Sequence, residues 1–318
     1  MKAFLWEKYG PPETLRLAEV EKPAPDAGEV LVKVLAVSVN AADWHSMRGK
    51  PLFSRATLGL VRPKHRILGV DVAGQVEAVG GGVTQFKPGD EVYANLLAHG
   101  YGGFAEYVSV PVHVMSLKPA TLSFEEAAAV PMAGVTALRG LRHHGEIRPG
   151  QKVLINGASG GVGTFAVQIA KSYGPEMTGV TSTRNMDLVR SLGADHVVDY
   201  TRTDFVRSGW RYDLIFDTVG NLSVRDLRRA LAEGGKAAVT GYTSLGEAIG
   251  VPLRGGKDIV RVSVHVVATK DLELLSDLIE AGKVRPVIDR RYPFGEIPAA
   301  IAYVEQGHAR GKVVVGVA

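Results

Sequence analysis

The chain contains no cysteine. This excludes a disulfide framework, cysteine-ligated zinc, iron–sulfur clusters and thiolate nucleophiles. Long apolar runs are lacking as well. The longest uncharged apolar stretch, Ala127–Leu138, is interrupted by Pro131 and falls far short of the roughly 18 residues that a membrane span requires. The opening residues Met1–Lys8 meet an acid at Glu7. They read as a strand and not as a signal peptide, so the expected location is cytoplasmic, with no membrane partner. No large charge surplus exists either: 37 Lys+Arg against 33 Asp+Glu leave +4, too little to argue for nucleic acid. One stretch does lack charge of one sign. Between Asp43 and Asp71 there is no acid, whereas Arg48, Lys50, Arg55, Arg62, Lys64 and Arg66 are all basic. Such a segment is either a solvated loop or a positive rim that draws in an anionic ligand.

Glycine is abundant: 38 of 318 residues, about 12% against a usual ~7%. Extra glycine marks tight turns or backbone that approaches a ligand closely. The length predicts about two domains at roughly 150 residues each, and the pattern changes near residue 120. Before that point β-type runs dominate: Glu29–Val37, Ile67–Val79, Glu91–Ala94, Phe104–Val110 and Val112–Leu117. Turns such as Lys87-Pro88-Gly89-Asp90 separate them, which suggests a compact barrel or sandwich. After it, Ser123 and Glu126 have capping-box spacing at a helix start. Strands then read at Lys152–Asn156, Met177–Thr183, His196–Tyr200, Tyr212–Val219, Lys236–Tyr242 and Arg261–Val267. Helices Gly161–Tyr173, Met186–Leu192 and Ser223–Glu233 fall between them, the last stopped by Gly234-Gly235. This alternation predicts a parallel, doubly wound α/β sheet. Helix Lys270–Ala281, a strand near Val284–Tyr292, helix Glu296–Gln306 and strand Lys312–Val317 close the chain.

Asn156-Gly157-Ala158-Ser159-Gly160-Gly161-Val162-Gly163 follows a predicted strand and opens a predicted helix. It is a variant of the dinucleotide fingerprint G-x-G-x-x-G, with Ala158 in place of the first glycine. Gly160 lets backbone reach a pyrophosphate, Gly163 lets the helix pack closely, and the helix N-terminus presents free N–H groups to phosphate. Alone, such a loop is an ordinary tight turn; followed by a βαβ unit, it reads as a dinucleotide site. An NAD site usually places an acid about 20 residues on, to hold the ribose hydroxyls. Here the strand tip reads Thr181-Ser182-Thr183-Arg184-Asn185, and no acid appears from Met177 until Asp187. Ser182 and Arg184 suit a 2′-phosphate, so NADPH is the expected cofactor. The blander alternative makes Arg184 a solvated residue at a helix start.

Further markers are Val39-Asn40-Ala41-Ala42-Asp43, Gly69-Val70-Asp71-Val72-Ala73-Gly74 and Phe86-Lys87-Pro88-Gly89-Asp90-Glu91-Val92. Gly103-Phe104-Ala105-Glu106-Tyr107, Leu192-Gly193-Ala194-Asp195 and His308-Ala309-Arg310-Gly311-Lys312 continue them. With these and the glycine loop, the whole chain resembles the medium-chain dehydrogenase/reductase superfamily. It is similar in particular to the zinc-free branch of zeta-crystallin-like and reticulon-interacting quinone oxidoreductases. The resemblance implies a GroES-like β-barrel domain, residues 1–121 and 268–318, and a Rossmann NADPH-binding domain, residues 122–267. It also implies a homodimer in which strand Arg261–Val267 pairs at a sheet edge across a two-fold axis. Zinc-bearing cousins hold their catalytic metal with two cysteines and a histidine. The corresponding places here carry Asn40, Val70 and Met132, so no metal is expected.

The implied activity is zinc-independent hydride transfer from NADPH to quinones or α,β-unsaturated carbonyls. Such acceptors spread the added charge onto an oxygen that one hydrogen-bond donor stabilises. A non-catalytic NADPH-binding sensor or scaffold is the alternative. An RNA-binding side role, suggested by a pI near 9.1, is the weakest. Asn40 is expected at the nicotinamide end of the cofactor. His45, where several relatives carry tyrosine, either donates a hydrogen bond or proton or only lines its loop. Trp44 either offers a flat face to a quinone or packs in the core, and Asp43 is structural. By the same resemblance, Ser159, Gly160, Gly161, Val162 and Gly163 form the phosphate loop, and Ser182 and Arg184 hold the 2′-phosphate. Tyr200 stacks near the adenosine, while Thr218 and Gly241 face the cofactor crevice. His308, Ala309 and Arg310 belong to a loop that reaches the cofactor, and Thr136 lies near the nicotinamide.

Overall fold

Alternating valines at 30, 32 and 34 and again at 37 and 39 make Glu29–Val39 (β3) the strand around which the N-terminal part is built; apart from Lys33, none of its residues is exposed. The computed structural model describes residues 1–241, 245–263 and 269–317. They divide into two units, Met1–Met132 with His265–Glu280 and Ile288–Ala318, and Ala133–Val264 with Ala281–Val287.

In the first unit β1 (Lys2–Leu5) and β2 (Arg16–Glu19) form an antiparallel ribbon. The main sheet contains β3, β4 (Asp71–Val79), β5 (Glu91–Asn95), β6 (Tyr107–Pro111), β7 (Met115–Leu117), β14 (Ile288–Pro293) and β15 (Lys312–Gly316). Its order is β14-β15-β3-β4-β5-β7, with β6 also on β3. The length of β3 lets it serve three partners. It pairs with β4 along one edge; along the other, Glu29–Lys33 meets β6 and Ala36–Val39 meets β15. Trp6, Met47, Leu68, Tyr93, Phe104 and Met115 fill the interior. The Tyr93 hydroxyl donates to the Leu272 carbonyl at 2.7 Å, which ties helix Thr269–Glu280 to this sheet. Helix Phe124–Ala128 opens with the expected capping box between Ser123 and Glu126 and packs on β3, β4 and β15.

The second unit has six parallel strands: β8 (Lys152–Asn156), β9 (Glu176–Thr181), β10 (His196–Asp199), β11 (Tyr212–Asp217), β12 (Leu231–Val239) and β13 (Ile259–Arg261). Their order, β10-β9-β8-β11-β12-β13, is the 3-2-1-4-5-6 order of dinucleotide-binding folds. Helix Gly161–Tyr173 buries Phe165, Ala166 and Ile169. Leu154, Val180, Ile215, Leu227 and Val239 belong to a second apolar cluster of this unit.

Three elements differ from expectation. The helix predicted over Ser223–Glu233 spans only Val224–Ala230, because Leu231 already pairs with Tyr212 while Lys236 pairs with Leu214. Gly234 and Gly235 therefore sit in an irregularity of β12 and do not stop a helix. The strand predicted from Val284 begins at Ile288, since Gln168 of the second unit holds both the N–H and the carbonyl of Arg285, each at 2.9 Å. The strand predicted over Arg261–Val267 is observed as Ile259–Arg261. Its residues 264–267 lie outside the described residues, as does Tyr242 of the predicted strand Lys236–Tyr242.

Candidate active site

In the second unit the expected cofactor residues, Thr136 apart, lie at or just beyond the carboxyl ends of the parallel strands. β8 ends at Asn156, Gly157 turns the chain with φ +79°, and the helix opens with Gly160 as its N-cap. The left-handed backbone at Gly157 brings it against Thr218, which follows β11, so that a Cβ there would lie 2.6 Å from Thr218 Oγ1. Thr218 in turn donates to the Asn156 carbonyl at 2.7 Å. These contacts fall between β8 and β11, where the strand order reverses, the place at which such sheets bind ligands. Ser159 is buried, and its Oγ accepts from Thr181 Oγ1 (2.7 Å) and from Asn185 Nδ2 (3.1 Å). Asn185 also reaches Ser182 Oγ at 3.3 Å. The loop 157–163 and the second-strand tip are thus joined through one amide. Gly161 and Val162 are half-buried, and Gly163 is buried. Arg184 and Tyr200 are exposed beyond β9 and β10, and Gly241 lies just past β12 with φ +73°. Thr136 is 3% exposed inside helix Pro131–Leu138.

One carboxylate does stand near the strand tip. Asp199 accepts from Thr183 Oγ1 and Thr201 Oγ1, and it pairs with Arg202 at 3.6 Å. The hydrogen bond from Thr183, first among these contacts, holds its carboxyl below the usual carboxylate range. Asp217 is buried and accepts from Asn156 Nδ2 and from the N–H groups of Val219, Gly220 and Leu222. Burial pushes its pKa up while those donors oppose the shift.

In the first unit Asn40 caps helix Ala41–Arg48 and is 7% exposed. Its amide joins a buried polar centre. Oδ1 accepts from Lys312 Nζ at 2.5 Å, and Nδ2 donates to Asp71 Oδ2 at 3.0 Å. Asp71 also accepts from Ser38 Oγ (2.9 Å), the Met132 N–H (3.0 Å) and Asn95 Nδ2 (3.2 Å). Lys312 Nζ lies 3.8 Å from Asp71 Oδ2. Asp43 Oδ2 accepts from the Asn40 N–H at 2.8 Å, the structural role expected of it. Burial raises the Asp71 carboxyl to about 6 against the pull of Lys312, and the Asp43 carboxyl to about 7; it lowers the Lys312 ammonium. His45 stacks on Trp44 with ring centroids 3.6 Å apart. One face of the Trp44 indole is therefore covered by its neighbour. Burial pushes the His45 pKa below its ordinary value and so favours the neutral ring. His308, Ala309 and Arg310 form the loop before β15, where the Arg310 N–H donates to Asp289 Oδ2 at 3.0 Å.

Residues 26–120 match the alcohol dehydrogenase GroES-like domain, and residues 192–315 match a family described as zinc-binding dehydrogenase. The chain is 36% identical over 327 residues to the chloroplastic NADPH-dependent alkenal/one oxidoreductase of Arabidopsis thaliana, covering 99% of this chain and 79% of that one. It is 35% identical over 361 residues to the mitochondrial NAD(P)H oxidoreductase RTN4IP1 of Mus musculus, covering 100% and 89%. The chain belongs to the medium-chain dehydrogenase/reductase superfamily. A solved quinone oxidoreductase from Coxiella burnetii matches with TM-score 0.89 and 30% identity, over 100% of this chain and 99% of that one. The GroES-like and Rossmann folds expected from the sequence are those of this superfamily, whose members here are nicotinamide-dependent oxidoreductases.

The superfamily's catalytic zinc does not fit these residues. Val70 offers only hydrocarbon, and Met132 Sδ accepts from Asn95 Nδ2 at 3.5 Å. The ammonium of Lys312, against Asn40, would repel a dication. Among the described residues no three His, Cys, Asp or Glu side chains are grouped to hold a metal. Ser38, Asp71, Asn95 and Lys312 of the first cluster and Asn185 of the second had no role assigned from the sequence. The overlooked signal was Lys312 itself, a lysine opening the apolar strand Lys312–Gly316, since a buried cation requires a partner.

Proposed function

We propose that this protein is an NADPH-dependent reductase of quinones and α,β-unsaturated carbonyls. The observation that carries the proposal is the centre of Asn40, Asp71 and Lys312. It stands where zinc-bearing cousins keep a metal that would polarise an alcohol or carbonyl oxygen. Quinones and enones need no such ion, because the charge brought by hydride spreads over a conjugated system. The names of the Arabidopsis and Coxiella relatives support the same acceptors.

When bound, NADPH supplies the hydride; the chain binds and orients. The free N–H groups at the start of helix Gly161–Tyr173 hold the pyrophosphate, and Ser182 and Arg184 favour a 2′-phosphate. Asp199, already engaged with Thr183, Thr201 and Arg202, does not compete for the ribose. Asn40 meets the nicotinamide end. His45, with its neutral form favoured, acts as a hydrogen-bond donor and not as a cationic acid. A homodimer is part of the proposal, supported by the place of β13 at the open edge of its sheet. Light scattering that gave a monomer at micromolar concentration would overturn that part.

The test is NADPH oxidation with 1,4-benzoquinone, 9,10-phenanthrenequinone and a simple enone. Turnover with at least one, and slower turnover with NADH, is expected. No oxidation with any of them overturns the proposal, and tight NADPH binding without turnover favours a sensor.

A further inference from the structure

We infer that Lys312 is a positioning residue: together with Asp71 it fixes which way the Asn40 amide faces. The inference rests on the reading that Asn40 meets the nicotinamide. The two ends of an asparagine amide are nearly alike in shape, so hydrogen bonds decide its orientation. Here the carbonyl end faces an ammonium and the amino end faces a carboxylate. A reversed amide would set N–H groups against the ammonium and a carbonyl against the carboxylate. With Lys312 3%, Asp71 0% and Asn40 7% exposed, little water screens that reversal.

Backbone pairing produces the arrangement. Val313 lies opposite Val39 in the β15–β3 ladder, so Lys312 falls beside Asn40. Oδ1 also faces the Asp43 N–H in the capping box of helix Ala41–Arg48, so what the amide has left is one weakly used N–H, whose contact with the Ser38 carbonyl is 3.4 Å. That N–H is a donor for the carbonyl of the carboxamide that the nicotinamide ring carries. Lys312 thereby sets which end of the Asn40 amide the ring meets without touching the ring.

The experiment measures NADPH affinity of the intact protein by fluorescence titration, with kcat/KM alongside and thermal melting to confirm folding. Asn40→Ala is expected to weaken NADPH at least tenfold. Lys312→Met should do the same, and the double variant should be no worse than either single, because Lys312 acts only through Asn40. Lys312→Gln, which keeps a donor without the charge, should recover most of the affinity. Should Lys312→Met fail to fold, Lys312→Met/Asp71→Asn replaces it; both charges are gone, and affinity should still be low because the amide is free to turn. If Asn40→Ala weakens binding but the Lys312 variants do not, or if the effects multiply, the positioning role is overturned while Asn40 keeps its place. Lys312→Gln behaving like Lys312→Met overturns orientation in favour of charge balance. Unchanged affinity and kcat/KM in Asn40→Ala remove the Asn40 reading and this inference with it.

Discussion

Two glycines of the phosphate loop, three residues apart, are expected to fail in opposite ways when replaced by alanine. At Gly163 a Cβ would lie 2.0 Å from the Gly157 carbonyl oxygen and 2.8 Å from the Ala158 backbone. No flexible side chain can yield there. Relief requires the first turn of helix Gly161–Tyr173 to lift, yet Phe165 holds that helix in the core. Overpacking of this kind costs about 1–3 kcal/mol, and backbone contacts this short place it near the upper end. Alanine in a helix returns about 1 kcal/mol, leaving a loss of about 2 kcal/mol. At roughly 2–4 °C per kcal/mol, Gly163→Ala should lower Tm by about 4–8 °C. At Gly160 the nearest atom to a Cβ, the Gly157 carbonyl oxygen, is 3.4 Å away, an ordinary contact. Alanine is only a weaker N-cap there, costing at most about 1 kcal/mol. On the proposed function, the added methyl instead crowds the helix-start N–H groups that would receive phosphate. Gly160→Ala should keep Tm within about 4 °C and raise the NADPH Kd at least tenfold, about 1.4 kcal/mol. Calorimetry and fluorescence titration on both variants decide the matter. A Gly160→Ala protein that binds NADPH like the parent, or a Gly163→Ala protein that melts with it, refutes the reasoning.

Three further outcomes are expected. Arg184→Ala should weaken NADPH by up to about fivefold and leave NADH unchanged, since an exposed charged contact is worth at most about 1 kcal/mol; equal loss for both cofactors would contradict the assignment. The carboxyls of Asp43 and Asp71, held at about 7 and about 6, keep protons that an unfolded chain releases near pH ~3.9. Their contribution to stability is present below about pH 4 and lost as pH rises to about 7. Asp43→Asn should therefore flatten the upper part of a Tm–pH profile, and a profile identical to the parent's would refute this. Dialysis against a chelator should leave kcat/KM unchanged; a loss restored by zinc would refute the argument from Asn40, Val70 and Met132.

Local signatures made much of the second unit legible. The glycine loop, the acid-free tip at Thr181–Asn185 and the strand ends at Thr218 and Gly241 each announce themselves within a few residues, and the sheet brings them to one edge. The buried centre of the first unit is different. Its members stand at 38, 40, 43, 71, 95, 132 and 312, and no window of sequence holds more than three. Only strand pairing unites them, so Asp71 and Lys312 passed as markers of resemblance without a role. One misreading had the same origin. Gly234-Gly235 carries the local signal of a helix stop, but the ladder with β11 has begun by Leu231, and the pair falls in its irregularity. Trp44, left open between a flat face for a quinone and core packing, has one face covered by the neighbouring imidazole, a contact that no sequence pattern announces.

The ladder between β3 and β15 has a consequence for synthesis. β3 is made early, its partner β15 follows the entire second unit, and Asp71 waits nearly as long for its cation. At roughly 5–20 residues per second that interval is on the order of ten to fifty seconds. For its duration the emerging N-terminal unit carries an unpaired strand edge at Ala36–Val39, the kind of surface on which chains aggregate. The second unit, nearly contiguous in sequence, meets no such delay. A cell making this protein must shelter one half of it while the other is already built.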